Sequence, residues 1–532
     1  MTMTTVASLT FLGFLLASAV VFYVFPVKFR WIALLISSVA FYVIAGSFKF
    51  LPFIVLTSLA VWVAAVIIGK MNERLACELS EAELDKSEKK KLKEKCRKKT
   101  RAVLVLCLLL CIGILFVTKF AKYAVYFVNN IIASRGDGRL FGTAWIVVPL
   151  GISYYTFSTV GYLLDVYWKR YPYEKNPLRF FLYAIYFPHI LQGPISRYNL
   201  LGKELKRELR FDGDRVIAGV QLMIWGFFKK LVIADRLNVF IHSVYDGSPH
   251  PGSIFLVTMV FDAIMIYTDF SGYMDIVRGA SQIFGVELEQ NFNHPFFSKS
   301  VSEFWRRWHM SLGSWFKDYV YYPVSVSRLM KNVNKKTAKS LPKNVARMIS
   351  VAIPCLVTWF LTGLWHGTGR TYVFWGIYYG ILITISVGMQ EEFQSLNKKL
   401  KIRTDSFLWN LFRMVRTFCI FMGGRLLTSP GSINNTKLVL KNVITNFQIS
   451  RLFDESLYDY GLGYKELYLV AACFVLLWGV SMMQERFGIR ERLAKQNIAI
   501  RLAVTVTAVF AVIIFGIYGA GYNAASFVYM QY

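Results

Sequence analysis

Apolar runs, several near the roughly 20-residue length that crosses a bilayer as a helix, alternate along this chain with short polar and basic segments. Val6 to Phe25 opens the series, and Trp31 to Ile44 and Leu51 to Ile68 follow it. The next two runs are Ala102 to Val117 and Ala144 to Trp168, while Phe120 to Ile132, short and flanked by polar residues, reads as an interfacial or partly inserted helix. Val216 to Val239 and Ile254 to Phe270 form the sixth and seventh crossings. Five more are expected at Ile349 to Thr362, Tyr372 to Val387, Phe407 to Phe421, Leu467 to Met482 and Leu502 to Gly519. The pattern predicts an all-α polytopic membrane protein with about twelve transmembrane helices.

One stretch resists simple alternation. Phe180 to Ile195 is apolar enough to insert, yet Lys169, Arg170, Lys175 and Arg179 precede it and Arg197, Lys203, Lys206, Arg207 and Arg210 follow it. A re-entrant segment that enters and leaves on the same side satisfies both flanks, and Pro188 with Gly193-Pro194 permits the break provided protein surrounds the freed backbone groups.

Charge then orients the spans. The chain has 532 residues, 55% of them apolar, and a net charge of +29. In a soluble protein that charge would suggest nucleic acid, but here it falls in blocks between apolar runs, as the positive-inside rule requires. No nucleic-acid partner is expected. Lys70 to Arg101 carries twelve basic and seven acidic residues and reads as a helical cytoplasmic loop; Arg328 to Arg347 has seven basic residues and no acidic one. With basic inner loops also at Lys398 to Arg403 and Arg486 to Arg501, both termini are expected outside. Val6 to Phe25 lacks a preceding positive residue, so it reads as a first anchor and not a cleaved signal. Lys229 and Lys230 interrupt the sixth crossing and should face a protein-lined interior, because a charge facing lipid costs a few kcal/mol.

Candidate chemistry is sparse. The seven cysteines form no CxxC pair, and no Cys/His cluster has metal-ligand spacing, so neither a disulfide framework nor a metal site is indicated. No GxSxG, Walker, HExxH or GxGxxG pattern appears in a fitting context. Of six histidines, His242 and His250 sit in a loop with Asp246, and His189 and His294 read as local hydrogen-bonding residues. His366 closes Leu361-Thr-Gly-Leu-Trp365-His-Gly367 at the end of a crossing, where an interfacial histidine satisfied by water is the plain alternative to a base. His309 lies in Glu303-Phe-Trp305-Arg306-Arg307-Trp-His-Met-Ser311-Leu312. Read as one helix, this puts Trp305, His309 and Leu312 on a shared face and Glu303 beside Arg306 and Arg307. Either headgroup contact or a pocket for a phosphate-bearing, ring-containing ligand suits that mixture, and the continuing alternation through Trp315, Asp318 and Tyr322 favours the pocket. Asp269 and Asp275 bracket a Ser-Gly pair; intramembrane carboxylates are functional candidates, though pairing with Arg278 or another arginine is the plainer role.

With these residues in hand, the chain resembles the membrane-bound O-acyltransferase family, and within it the alginate O-acetyltransferase type of membrane subunit. The resemblance rests on Pro149-Leu-Gly-Ile-Ser-Tyr-Tyr-Thr-Phe157, Phe187-Pro-His189 with Gly193-Pro-Ile195 and Arg197-Tyr198, the Asp269 to Asp275 stretch, Glu303 to Ser311, and Leu364-Trp-His-Gly367. It implies tilted helices around a thin centre with cytoplasmic and extracytoplasmic funnels, organised as N-terminal helices (1–142), a catalytic core (143–390) and C-terminal helices (391–532). It makes His366 the essential histidine and His309 the supporting one, with Trp305, Arg306, Arg307, Ser311, Asp318 and Trp365 as donor-binding or supporting residues.

The resemblance further implies acetyl-CoA, or another acyl donor, as a substrate rather than a bound cofactor. The acceptor is a polysaccharide reached through an extracytoplasmic SGNH-hydrolase-like transferase, and the setting is the lipid of a bacterial inner membrane. The C-terminal Phe527-Val-Tyr529-Met-Gln-Tyr532 is similar to the family's aromatic tail, whose tyrosine relays the acyl group; Tyr532 departs from the usual phenylalanine, and an aromatic belt is the plain alternative. Tyr378-Tyr379-Gly380 stands where relatives often have a histidine before the glycine. D-alanyl transfer from a carrier protein to teichoic acid, and a transporter or flippase, are the competing functions.

Overall fold

A computed structural model describes residues 6–81, 85–134, 141–142, 148–367 and 369–518. Every regular element among them is helical, and the one strand-like feature is an isolated bridge between Phe292 and Trp308. The protein is an all-α polytopic membrane protein. Nine helices among the described residues are long and apolar enough to span a bilayer, and a tenth, Leu9–Val24, is shorter.

The described chain divides into two compact units. The first comprises residues 1–216 with 280–289. Its helices are α1 (Leu9–Val24), α2 (Arg30–Ala45), α3 (Leu51–Glu81), α4 (Lys86–Ala133), α5 (Ile152–Tyr167) and α6 (Pro177–Ile185). α3 and α4 make a long hairpin that bears out the helical reading of the basic loop. Asp85 starts α4 with a capping box, its side chain accepting from Lys86 N–H while Glu88 reaches back to Asp85 N–H. α4 then runs unbroken for 48 residues, so Phe120 to Ile132 is not a separate interfacial helix. Nothing in that stretch is proline, and a helix satisfies its own backbone whether or not lipid surrounds it.

α5 departs from expectation in another way. Of the crossing expected over Ala144 to Trp168, residues 144–147 lie outside the described residues, and within the rest α5 has only 16 residues, starting after Gly151, whose φ of +67° suits the left-handed turn. About 24 Å of helix falls short of the roughly 30 Å hydrocarbon core. α6 is capped by Asn176, whose side chain accepts from the N–H groups of Leu178 and Arg179, with Pro177 in the first turn. It ends at Ile185, ahead of Pro188, and the irregular residues beyond it are buried in protein, which fits the break expected there. The Phe187 N–H donates to Ser38 Oγ, and His189 Nδ1 lies 2.8 Å from Tyr186 O, the local role expected of that histidine.

The second unit comprises residues 217–279 and 290–532. It holds most of α7 (Gly213–Phe227), α8 (Asp235–Val244) and most of α9 (Gly252–Ile283). Next come the short α10 (Val301–Arg307), α11 (Met310–Phe316) and α12 (Tyr322–Ser325), the basic α13 (Arg328–Ser340), α14 (Lys343–His366) and α15 (Arg370–Gly388). α16 (Gln390–Lys399), α17 (Phe407–Leu426), α18 (Ile433–Thr445), α19 (Tyr464–Phe487), α20 (Ile489–Ala494) and α21 (Ile498–Phe515) complete it. α17, expected as a crossing, carries Arg413, Arg416 and Arg425 and is not among the spans by composition.

α7 and α9 approach through glycines. A Cβ on Gly226 would overlap the backbone of Gly272, and one on Gly279 the carbonyl of Gly219. A π-helical stretch, Phe228–Ala234, then turns both interrupting lysines inward. Lys229 Nζ meets Asp275 at 2.6 Å and Ser271 Oγ at 3.0 Å, and Lys230 Nζ meets Asp269 at 2.7 Å and Asp235 at 2.8 Å. The protein-lined interior expected for the lysines is observed, and the partners of the two aspartates are these lysines, with Arg278 a longer 3.9 Å from Asp275.

Candidate active site

His366 is the last residue of α14, and glycines decide where it sits. Gly363 faces α15 so closely that a Cβ would overlap the carbonyl of Tyr372, and Gly376 stands in the same relation to the carbonyl of Trp359. The two backbones therefore touch. Gly367 ends the helix in extended conformation, and a Cβ there would overlap the ring of Tyr372. This contact brings Trp375 of α15 edge-on to His366, ring centroids 4.9 Å apart at 72°, while Trp365 lies 4.7 Å from the same imidazole at 78°. His366 is 6% exposed, so it is a buried residue and not an interfacial one in water.

His309 reaches this cluster by a route the helical pattern misses. Glu303 to Leu312 is not one helix: α10 stops at Arg307, and His309, at φ +46° and ψ +54°, begins α11. The shared face expected for Trp305, His309 and Leu312 is thereby overturned. Tertiary pairing outweighs local propensity here, because Asn293 N–H donates to Arg307 O (2.9 Å) and Met310 N–H to Asn291 O (3.0 Å), clamping the break around the Phe292–Trp308 bridge. A left-handed non-glycine residue costs about 1–3 kcal/mol and persists only where its surroundings impose it.

Asn291 also sets the imidazole. Its Oδ1 accepts from Ser311 N–H at 2.9 Å, which fixes the amide's orientation, and lies 3.4 Å from His309 Nδ1. Because Oδ1 only accepts, Nδ1 carries the proton and Nε2 presents a lone pair. Burial pushes the imidazole pKa down to about 3, so the ring is neutral. Phe270 packs edge-to-face on it at 4.8 Å and Trp365 lies 6.0 Å away. Both histidines thus contact one indole.

A cavity of about 20 Å³, room for roughly one water, opens beside His366 among Trp305, Trp308, Trp375, Tyr372, Thr428 and Arg425. Arg425 grips Asp262 through Nε (2.9 Å) and Nη2 (2.8 Å), and Ser429 Oγ contacts both Asp262 Oδ1 (2.6 Å) and Arg425 Nη2 (2.6 Å).

Other expected site residues divide. Trp305 lines the cavity and packs on Trp359, Trp375 and Tyr379, and Trp365 contacts both histidines. Arg307 is held by Glu303 and Glu485, each at 3.0 Å; Arg306 is exposed; Ser311 is buried, tied to Asn291; Asp318 is half-buried on the π-helical turn Lys317–Tyr321. Tyr529 lies outside the described residues. Among the described residues no group of His, Cys, Asp or Glu is arranged to hold a metal. Sequence reasoning missed Asn291, Tyr372, Trp375 and the Asp262–Arg425–Ser429 group; a carboxylate ten residues into an apolar helix was the available signal for the last.

A family model for membrane-bound O-acyltransferases matches residues 169–339. A probable alginate O-acetylase, AlgI, of Pseudomonas aeruginosa is 33% identical over 291 residues, 54% of this chain and 52% of the relative. Over its middle third the chain is similar to the membrane-bound O-acyltransferase family. The family match includes His309 and stops before His366. Two other relatives are a teichoic acid D-alanyltransferase of Bacillus subtilis, 32% identical over 51% of this chain and 65% of that protein, and a peptidoglycan O-acetyltransferase of Helicobacter pylori, 28% identical over 50% and 52%. The chain matches about half the length of its alginate-acetylase relatives. Its apolar helices, together with this similarity, make it an integral membrane protein.

Proposed function

We propose that this protein is a membrane O-acyltransferase that takes an acetyl group from acetyl-CoA on the cytoplasmic side and delivers it for O-acetylation of an exported or cell-surface polysaccharide. The observation that carries the reading is the shared Trp365: two buried imidazoles, one neutral with a defined tautomer, meet around one indole beside a water-sized cavity. In the proposed step an acceptor hydroxyl attacks the thioester carbonyl carbon while His366 takes its proton; the C–S bond then breaks and His366 passes that proton to the departing thiolate. Atoms balance as alcohol plus thioester giving ester plus thiol. An imidazole suits both transfers near neutral pH, and His309, in contact with the same indole, orients or polarises. The apolar, tryptophan-lined surroundings limit hydrolysis of the acyl group.

Names of relatives that acetylate alginate or peptidoglycan support acetyl transfer to a polymer. In this reading Tyr529 relays the acyl group outside, an SGNH-hydrolase-like partner completes the transfer, and the protein resides in a bacterial inner membrane with both termini outside. Loss of polymer O-acetylation in intact cells on His366→Ala, with normal protein level, is the expected result; unchanged acetylation would refute the assignment.

D-alanyl transfer from a carrier protein is a second reading, favoured by the teichoic acid relatives. Direct binding separates the two: coenzyme A retained by the purified protein supports the first, and a phosphopantetheine carrier bound without coenzyme A supports the second. A transporter reading loses part of its support, because Lys229 and Lys230 are held in ion pairs by Asp275, Asp269 and Asp235.

A further inference from the structure

The cavity beside His366 has one cationic wall. Its other lining residues are aromatic or aliphatic, with Thr428 and His366, and Arg425 is the single residue on the lining that carries a permanent charge. We propose that Arg425 stabilises the oxyanion formed when the thioester carbonyl is attacked, a role that rests on the acyl-transfer reading above.

The chemistry requires such a group. As the acceptor oxygen bonds to the carbonyl carbon, the carbonyl π pair moves onto oxygen; when the C–S bond breaks, that pair returns and the thiolate leaves with the proton from His366. Negative charge on the carbonyl oxygen is transient, and fixed positive groups aimed at it in a dry site are worth far more than in water. The neutral His309 supplies no such charge.

Arg425 is also held as that role demands. Asp262, 1% exposed, takes Nε and Nη2 in a two-point grip, and Ser429 ties the same edge. Its backbone is seated by neighbours: Gly424 leaves no room for a Cβ against the Tyr379 hydroxyl, and Thr436 Oγ1 donates to Leu426 O at 3.0 Å. Tyr379 packs in turn on Trp305 and Trp375, the rings around the cavity. The arginine and His366 are therefore registered on one aromatic cluster. A purely structural pair has no need of the cavity wall, and buried pairs of that kind are replaceable by apolar residues of similar size.

That replaceability supplies the test. The double variant Asp262→Leu/Arg425→Met removes both charges without stranding either, and thiol release from acetyl-CoA is followed with purified full-length protein. The expected result is a kcat lower by about 10²–10³, with the KM for acetyl-CoA within about twofold and the melting temperature near that of the wild type. Near-wild-type kcat in the folded double variant overturns the proposal. Should that variant fail to fold, Ser429→Ala loosens only one tie; a kcat several-fold lower at unchanged melting temperature supports the role, and an unchanged kcat overturns it. Wild-type protein that neither binds acetyl-CoA nor releases thiol from it refutes the acetyl-CoA reading, and this inference, argued for that donor, falls with it.

Discussion

The imidazoles of His309 and His366 share the indole of Trp365, at centroid distances of 6.0 and 4.7 Å. Neither residue is near the other in sequence, and the glycine contact of α14 with α15 and the broken α10–α11 segment are what bring them to one side chain. If the two act as a unit, their losses will not add. His366→Ala should lower kcat/KM by about 10²–10⁴, His309→Ala by less, and the double variant should be no slower than His366→Ala within error. Losses that multiply in the double variant would show independent roles.

Gly367 is required for a steric reason that is separable from the chemistry. A Cβ at that position overlaps the ring of Tyr372, whereas one at Gly113 on α4 meets nothing within 4 Å. Gly367→Ala should therefore destabilise the protein by about 1–3 kcal/mol as an overpacking change and depress activity by displacing the end of α14. Gly113→Ala should leave both intact or slightly raise stability. Thermal melts of the two variants, with thiol release from acetyl-CoA on the same samples, give the comparison.

Lys230 is the more consequential of the two buried lysines. It holds Asp269 and Asp235, both nearly inaccessible, whereas Lys229 holds Asp275, whose side chain is 16% exposed. Removing one partner of a buried pair costs about 3–5 kcal/mol because the other charge is stranded. Lys230→Met should lower the melting temperature more than Lys229→Met, and Lys230→Met combined with Asp269→Asn should recover part of the loss.

Much of this was legible from the order of residues. The run ending in Trp365-His366-Gly367 announced a histidine at a helix end, and the interrupting lysines announced a protein-lined interior. What periodicity missed has physical causes. Trp305 and His309 are at helical spacing, yet backbone hydrogen bonds to Asn291 and Arg307 break the helix between them. Those contacts come from a segment some 15 residues earlier, beyond any local window. The pairing of Asp262 with Arg425 joins positions 163 residues apart, so each looks like an isolated charge until the helices pack. α4 continues through Phe120 to Ile132 because hydropathy reports the solvent a residue prefers, and a helix can outlast its apolar stretch.

Acid should act on His309 through stability, not through its protonation in catalysis. Burial holds its pKa at about 3, below the ordinary value near 6.5. Between those values the unfolded chain binds a proton that the native protein does not, so this histidine's share of stability is intact above about pH 6.5 and is lost progressively as pH falls toward 3. The slope is at most about 1.4 kcal/mol per pH unit, or about 2 kcal/mol by pH 5. His309→Gln, which keeps a polar side chain facing Asn291 but cannot take up that proton, should flatten the dependence of melting temperature on pH in that window. Because the native ring stays neutral throughout it, the same variant should leave the position of any acid limb in kcat/KM between pH 5 and 7 unchanged while lowering its height. A limb that moves with His309→Gln would show that this imidazole titrates in the folded protein and would remove the basis for assigning it a neutral, polarising role.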